Sequence, residues 1–397
     1  MDTGKMQRLP EMNSEKSYEL LETVRELGKT ATNLCESLEN IFLRTQLAEI
    51  IEYYYDIGKV GDIYEVFGGY VNRSFVFSVK KDGMTNFYFL RKHKRGTGED
   101  EIQFEHSLIN HCIANGLSIG AGTIENKKGT TYVKPASSRS FFAVYEFLEG
   151  EDKFTWDNPT LNDKQYASAA EAFAVLHNSS TNFEPKGLQR HEAEATVLVS
   201  TFASIFRKYA EKELSCKLHN YFLEHIDDII KVTEKSRISE RDLKQFPLIP
   251  GHYDFHPGNL KWDGDEVVGI FDFDWSKTDA RLFDVCMALI YFCTDWDDLN
   301  DGKFKIRQCA LFLNKYQYKL KSLNGLQPIS EIELKNLHTM LAIANIYLVK
   351  WEIAEFLSNP DSNVYEYLAY LKHSIRVMQW IEKHEDEINS MIKDVVR

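Results

Sequence analysis

The stretch IPGHYDFHPGNLKWDGDEVVGIFDFDWSKTDARLFDVCMAL, residues 249–289, decides how this chain is read. His252, Asp254 and Asn259 stand in it as H-x-D-x-x-x-x-N, and Asp272 follows Asn259 by 13 residues, at the end of the apolar run VVGIF. Between them, Trp262-Asp263-Gly264-Asp265 is a hairpin-turn signal. A hairpin there returns its second strand along the first and carries Asp272 to the loop that holds Asp254 and Asn259. Three oxygen-bearing side chains then converge. That donor set suits Mg²⁺, a hard cation that takes oxygen ligands and keeps several waters.

Such a site fits phosphoryl transfer, which asks for metal to neutralise phosphate charge, in-line positioning and a carboxylate to orient the attacking hydroxyl. On this reading Asp254 accepts the hydroxyl proton, Asn259 and Asp272 hold the metal, and His252 braces the loop by hydrogen bonding. Asp274 shares a face with Asp272 if the strand continues; it then assists the metal, faces the substrate or is an exposed structural side chain. Asp and Asn in Gly/Pro-rich turns commonly just satisfy backbone groups, but four such residues in order at this spacing outweigh that reading. A rival chemistry is a zinc triad, His252-x-Asp254-x-His256, in a metallohydrolase. Pro257-Gly258 follows at once and no further His-rich cluster completes it, so His256 is read as a loop-packing histidine.

Outward from this segment, 397 residues are too many for one ordinary core and call for two or three lobes. With 43% hydrophobic and 27% charged residues the chain folds rather than staying disordered. Lys plus Arg is 47 against 60 Asp plus Glu, a net charge of −13. That balance argues against a nucleic-acid partner, which needs a basic face to release counterions, and weakly against anionic membranes. The longest apolar run, residues 285–293, falls short of the roughly 20 residues of a membrane span and reads as a buried helix. The N-terminal MDTGKMQRLPEMNSEKSYELLE has no apolar secretory core, and the six cysteines show no C-x-x-C spacing. The expectation is a cytoplasmic protein with reduced thiols, without membrane or nucleic-acid partners.

Apolar residues at near-helical spacing over residues 15–56 give way to short β-rich runs over 61–148, among them RSFVFSVK, NFYFL and FFAVYEF. One helix interrupts the strands, from about 99 to 114, opening on Glu99, Asp100 and Glu101 and stopping at Asn115-Gly116. From about 155 the chain is mainly helical except for the β-like island at 247–275. The division is residues 1–56 as an N-terminal helical extension, 57–148 as a β-rich nucleotide-binding lobe and 149–397 as a helical catalytic and substrate-binding lobe.

The β-rich lobe then supplies nucleotide binding. Gly68-Gly69-Tyr70-Val71-Asn72 joins two strands, and a glycine turn there brings backbone N–H groups to phosphates. In NFYFLRKHKRG either Arg91 or Lys92 points into the cleft. Glu105 falls near the centre of the apolar stripe Phe104, Leu108, Ile109, Cys112 and Ile113, where an ionised carboxylate needs a partner. A cation from the neighbouring strand satisfies it and steadies the ATP phosphates; Glu101 is the second choice, and a Glu105 that reaches water at a helix edge is the plain alternative. At FFAVYEFLEG, Glu146 and Leu148 are placed to meet a purine, against the alternative of a buried edge strand.

The order GGxxNRxF, FLR, helical Glu, YEFLEG, HxDFHPGN and GIxDFD resembles the aminoglycoside phosphotransferase and choline kinase-like superfamily, over about residues 60–300. The resemblance implies an α+β, protein-kinase-like bilobal fold with a small β-rich N-lobe and a larger helical C-lobe. It implies ATP and Mg²⁺ as cofactors, Asp254 as catalytic base, Asn259 and Asp272 as metal ligands and Gly68 to Asn72 as the phosphate loop. By the same likeness Arg91 contacts phosphate, with Lys92 as the alternative. Asp284 in ARLFDV matches a family aspartate that braces the catalytic loop, unless it is a simple N-cap. Leu176-His177 resembles a structural LH pair. Tyr253 stands where a small residue is usual and predicts a bulkier loop rim. The N-terminal extension has no counterpart in the shared core; it packs on the small lobe or makes a homodimer contact.

The acceptor is a small-molecule hydroxyl on an amino alcohol, aminoglycoside, sugar or amino acid. Candidates to hold it are Asp274 with Trp275, then Asp295 in the run Asp295-Trp296-Asp297-Asp298, then Trp351 with Glu352 and Glu355, since acids beside aromatics attract an ammonium group. Helical spacing of Leu334, Leu337, Leu341, Ala344 and Leu348 marks much of that region as core. The competing class is a non-catalytic kinase-like module that binds nucleotide.

Overall fold

Strict alternation in RSFVFSVK drives Phe75, Phe77 and Val79 to one face of a sheet, where all three are buried. The computed structural model describes residues 40–66, 72–157, 160–185, 192–297, 299–359 and 362–396; Gly68 and Gly69 lie outside them. The first helix among the described residues, α1 (residues 40–54), precedes strands β1 (Lys59–Val66), β2 (Arg73–Lys81) and β3 (Met84–Lys92). Then come α2 (Glu99–Ala114), β4 (Tyr132–Val133) and β5 (Phe142–Glu146), and the five strands pair antiparallel in the order β1-β2-β3-β5-β4. Asp82 and Gly83, at φ 52° and 82°, turn β2 into β3 across the closing pair Lys81–Met84. Positive φ at both turn positions is the hairpin geometry that matches strand twist.

The sheet parts two cores. Phe142 and Val144 of β5 join Phe75, Phe77, Val79 and Leu90 under Leu47, Ile50 and Ile51 of α1. Ala143 and Tyr145, on the other face of β5, join Phe104, Leu108 and Cys112 of α2 in the main core. The described part of the N-terminal extension therefore packs on the small lobe. β5 is an inner strand, not the edge strand of the plain reading, because β4 covers its outer side.

The larger lobe holds α3 (Asp163–Ser179), α4 (Ala195–Ala210), α5 (Lys217–Lys235), α6 (Glu240–Leu243), α7 (Arg281–Cys293), α8 (Ile306–Lys321), α9 (Glu331–Lys335), α10 (Leu337–Ser358), α11 (Val364–Lys383) and α12 (Glu385–Val396). Twelve residues of α7 are buried, which makes it the central rod and explains why its sequence is apolar nearly all round. Among the described residues no helix is long and apolar enough to cross a membrane, and the five described cysteines are free.

The island between α6 and α7 forms β6 (Leu248–Gly251), a 3₁₀ turn (Pro257–Asn259), β7 (Leu260–Asp263), β8 (Glu266–Ile270) and β9 (Lys277–Ala280). β7 and β8 make the expected hairpin, and β6 pairs with β9. The hairpin is bonded to the small-lobe side: Ile270 N–H donates to Ile119 O at 2.8 Å, Ala121 N–H to Ile270 O at 3.3 Å, and Glu151 N–H to Trp262 O at 2.8 Å. This is a bilobal α+β fold, with its cleft where hairpin, sheet and α7 meet.

Candidate active site

The loop from β6 to the 3₁₀ turn is held from below. Asp284, in the first turn of α7, accepts His252 N–H at 2.7 Å and Tyr253 N–H at 2.9 Å. His177 reaches the same carboxylate at 3.0 Å and bonds Tyr316 through its other nitrogen at 2.7 Å. The N-cap of α7 is Ala280, so Asp284 is a loop brace inside the helix rather than a cap. Gly251 gives way to it, since a Cβ there would overlap the Asp284 carboxylate. Tyr253 takes φ +60° and is buried, its ring stacked on Phe283 at 5.5 Å. The Tyr253 side chain packs into the core and still borders the cleft.

His252 ties two stretches together. Its Nε2 lies 3.0 Å from Phe271 O, and its Nδ1 accepts Asp254 N–H at 3.3 Å. Burial pushes its pKa down, against the pull of Asp254 and Asp284. With both ring nitrogens engaged, His252 has none left for zinc. Among the described residues no three His, Cys, Asp or Glu side chains gather as a metal site.

Asn259 directs its amide at Asp254, donating to the backbone oxygen at 2.9 Å and to Oδ2 at 3.0 Å. Its backbone oxygen accepts Phe271 N–H at 3.2 Å, which brings the residue before Asp272 against the loop. His256 Nε2 lies 3.6 Å from Asp254 Oδ2. Burial works to raise the Asp254 pKa, but His256, His252 and Asn259 outweigh it and hold it below the ordinary value. His256 is thus a carboxylate partner, which sequence reading missed; its placement two residues from Asp254 was the available signal.

β8 ends at Ile270, so strand alternation does not align Asp272 and Asp274. Asp272 instead sits at φ +66°. Its Oδ1 lies 2.9 Å from Arg91 Nη2 as an ion pair, without hydrogen-bond geometry. Asp274 accepts from Asn72 Nδ2 at 2.9 Å, and Asn72 Oδ1 accepts Lys94 N–H at 3.0 Å. Burial, then the Asp272 charge, raise the Asp274 pKa well above normal. For a divalent cation the fitting donors are Asn259 Oδ1, left over once the amide nitrogen is committed to Asp254, and the Asp272 carboxylate. Both are hard oxygens, and both residues line the cavity.

From the small lobe, Arg91 Nη1 stands 3.4 Å from Glu105 Oε1, with both side chains about 5% exposed. Lys92 faces the other side of β3, its Nζ 5.9 Å from the Phe142 ring, and does not line the cavity. Alternation along the strand decides between the two cations. Burial pushes Glu105 up to about 7, with Arg91 and Tyr145 opposing and Asp272 adding to it. Glu101 instead accepts Gly98 N–H at 3.3 Å at the start of α2. Glu146 accepts Gly122 N–H at 3.3 Å, and Glu146 and Leu148 both line the cleft.

These groups share one cavity of about 740 Å³. Its far wing is aromatic: Trp275 and Trp351 lie 6.3 Å apart, with Trp156, Trp296 and Tyr291 around them. Glu352 is buried in that wall, its Oε1 accepting Ser374 Oγ–H at 2.6 Å and its Oε2 without a partner among the described residues. Burial, opposed by Ser374, pushes Glu352 up to about 8. Asp295 is off this wall; it accepts Asp297 N–H at 3.3 Å within its own turn. Trp296, read beside Asp295, does line this wall, while Trp156 and Ser374 went unread, because a lone tryptophan in a loop and a serine in helical sequence carry no local sign of a site.

A five-stranded sheet over a helical lobe, with an Asp–Asn loop and a second aspartate facing an Arg–Glu pair across the cleft, defines a kinase-like phosphotransferase. Residues 63–316 match the model described as the phosphotransferase enzyme family, and the chain belongs to that family. It is a small-molecule kinase that phosphorylates a hydroxyl. The chain is 24% identical over 335 residues to a homoserine kinase of Methylocella silvestris, covering 82% of this chain and 92% of that one. It is similar in fold to spectinomycin phosphotransferase, solved with ADP and spectinomycin, at TM-score 0.58 and 16% identity over 85% of this chain and 98% of that one. It is also similar to an amicoumacin kinase, solved with AMP-PNP, Ca²⁺ and Ami, at TM-score 0.57 and 16% identity over 88% and 96% of the two chains.

Proposed function

We propose that this protein transfers the γ-phosphoryl group of ATP, with Mg²⁺, to the hydroxyl of a small amine-bearing acceptor, an amino alcohol or amino acid. The observation that carries the reading is the Asp254–Asn259 clamp set against Asp272, Arg91 and Glu105. Asp254, kept ionised, accepts the acceptor's hydroxyl proton as the oxygen attacks. Asn259 and Asp272 would hold the metal, which when bound neutralises phosphate charge. Arg91 contacts phosphate from the small lobe, and the β5 end with Glu146 and Leu148 receives the purine.

The acceptor class rests on the aromatic wing. Ring faces attract an ammonium group, and Glu352 is the buried acid beside them. The homoserine kinase relative and the ADP and AMP-PNP bound to the neighbouring folds agree with this donor and acceptor chemistry. The test is ADP release from ATP and Mg²⁺ with homoserine, ethanolamine, choline and spectinomycin as acceptors. One of the amines should raise release well above background, and Asp254→Asn should abolish the increase. Release that no acceptor raises, and that Asp254→Asn leaves unchanged, defeats the proposal.

A further inference from the structure

Behind the Arg91–Glu105 pair lies a run of buried polar groups that phosphoryl transfer does not require. His106 Nδ1 is 2.7 Å from Thr131 Oγ1, and His106 Nε2 is 2.8 Å from Tyr145 Oη. Tyr145 Oη in turn donates to Glu105 Oε1 at 3.2 Å. His106, Tyr145, Glu105 and Arg91 are each at most 4% exposed. We propose that His106 and Tyr145 are positioning residues for the nucleotide, delivering a one-way series of hydrogen bonds that keeps Glu105 charged and Arg91 aimed at the phosphates. The inference rests on the donor-binding role proposed for Arg91.

The direction follows from counting protons. An ionised carboxylate only accepts, so the single phenolic hydrogen of Tyr145 goes to Glu105. The Tyr145 oxygen then accepts, and His106 must carry its proton on Nε2. The Nδ1 lone pair is left for the Thr131 hydroxyl. Burial, followed by the charge of Arg91, pushes His106 down to about 3, so it stays neutral in this one tautomer. Every donor points toward Glu105.

Glu105 needs that help. Its contact with Arg91 is long, 3.4 Å, and burial favours its neutral form. The groups facing it are Arg91 on β3, Tyr145 on β5, and Asp272 and Asp274 from the segment after β8, with His106 next to it on its own helix and His93, just past β3, against His106. Arg91 and Tyr145 favour its charge; the aspartates oppose it. A hydrogen bond to a charged group shifts its midpoint by about one to two pH units. With the phenol in place Glu105 sits at about 7 and is part ionised at neutral pH; without it the protonated form takes over and Arg91 loses one of its two anchors.

The experiment measures the Michaelis constant for ATP and the dissociation constant of a fluorescent ATP analogue with Mg²⁺ between pH 6 and 9. The proteins are wild type, Tyr145→Phe, His106→Leu and His106→Gln. The expected result is several-fold weaker nucleotide binding in Tyr145→Phe and His106→Leu at pH 6.5, recovering toward pH 9, with kcat little changed. His106→Gln, whose amide can still donate to Tyr145, restores the wild-type profile. Equal weakening at every pH, or loss of kcat alone, overturns the inference. A second readout needs neither donor nor acceptor: the titration midpoint of the Glu105 carboxyl, followed by ¹³C NMR. It should rise by about one unit in Tyr145→Phe. A midpoint that stays put overturns the relay even if phosphoryl transfer is confirmed. A midpoint that rises in a protein that transfers no phosphoryl group upholds the relay and rejects only the catalytic reading.

Discussion

Asp284 holds Tyr253 by its backbone: Tyr253 N–H donates to Asp284 Oδ1 at 2.9 Å while the residue sits at φ +60°. A non-glycine residue in that conformation costs about 1 kcal/mol or more. The carboxylate also takes His252 N–H and His177, so three buried donors depend on it. Asp284→Ala should therefore destabilise the protein by about 3 kcal/mol in urea unfolding and lower kcat more than any loss of folded protein explains. Asp284→Asn, which keeps one acceptor oxygen, should fall between the two. Full activity in folded Asp284→Ala would show that the brace is dispensable.

Asp254→Asn should lower kcat by about 10²–10⁴-fold with nucleotide affinity nearly unchanged, because the group acts on the proton of the acceptor rather than on binding. Steady-state kinetics with a parallel binding titration separates the two constants. A matching loss of nucleotide affinity would place Asp254 in the donor site instead.

Glu352 makes acceptor binding and stability depend on pH in opposite senses. Its folded pKa is raised from 4.5 to about 8 by burial. The folded protein thus carries a proton that the unfolded chain lacks between those values. Its contribution to stability is greatest below pH 4.5, declines as pH rises and levels off above about 8. A cationic acceptor prefers the ionised form, so its affinity should rise with pH toward 8 and its binding at pH 7 should release a proton. Calorimetry in buffers of different ionisation enthalpy counts that proton, and Glu352→Gln should remove it. A wild-type proton count of zero would remove Glu352 from the acceptor site.

At pH 9, where Glu105 is ionised in the wild type, Arg91→Met should cost up to about 3–5 kcal/mol by removing its cation, and less at pH 6, where Glu105 is protonated in both proteins. The double variant with Glu105→Leu should recover most of that stability while nucleotide affinity stays low. Thermal or urea unfolding beside a nucleotide titration checks both halves. Recovered affinity in the double variant would deny Arg91 a contact with phosphate.

What was legible in the chain was local. The hairpin turn at Asp263-Gly264 and the helix stop at Asn115-Gly116 announce themselves because their chemistry sits in adjacent residues. Glu105 was legible as a charge that needed a partner. Strand parity, which separates Arg91 from Lys92, needed the register of β3 against β5. The Asp272–Asp274 segment was misread as strand because its Phe-Asp alternation imitates one, while φ +66° at Asp272 breaks it. The aromatic wing was the least legible, since Trp156, Trp275 and Trp351 come from segments nearly 200 residues apart and meet only in the folded chain.

The bonds that join Ile270 to Ile119 and Ala121 put a fulcrum under the small lobe. A wholesale parting of the lobes would have to tear the floor of the cleft from the segment beside it. Rocking about that line spares those backbone bonds and opens the Asn72–Asp274 hydrogen bond and the Arg91–Asp272 ion pair across the cleft, so ATP and product should exchange by a tilt of the β1–β3 flap. The Asn259 and Asp272 oxygens, on the fixed side of the pivot, would stay in register from one turnover to the next.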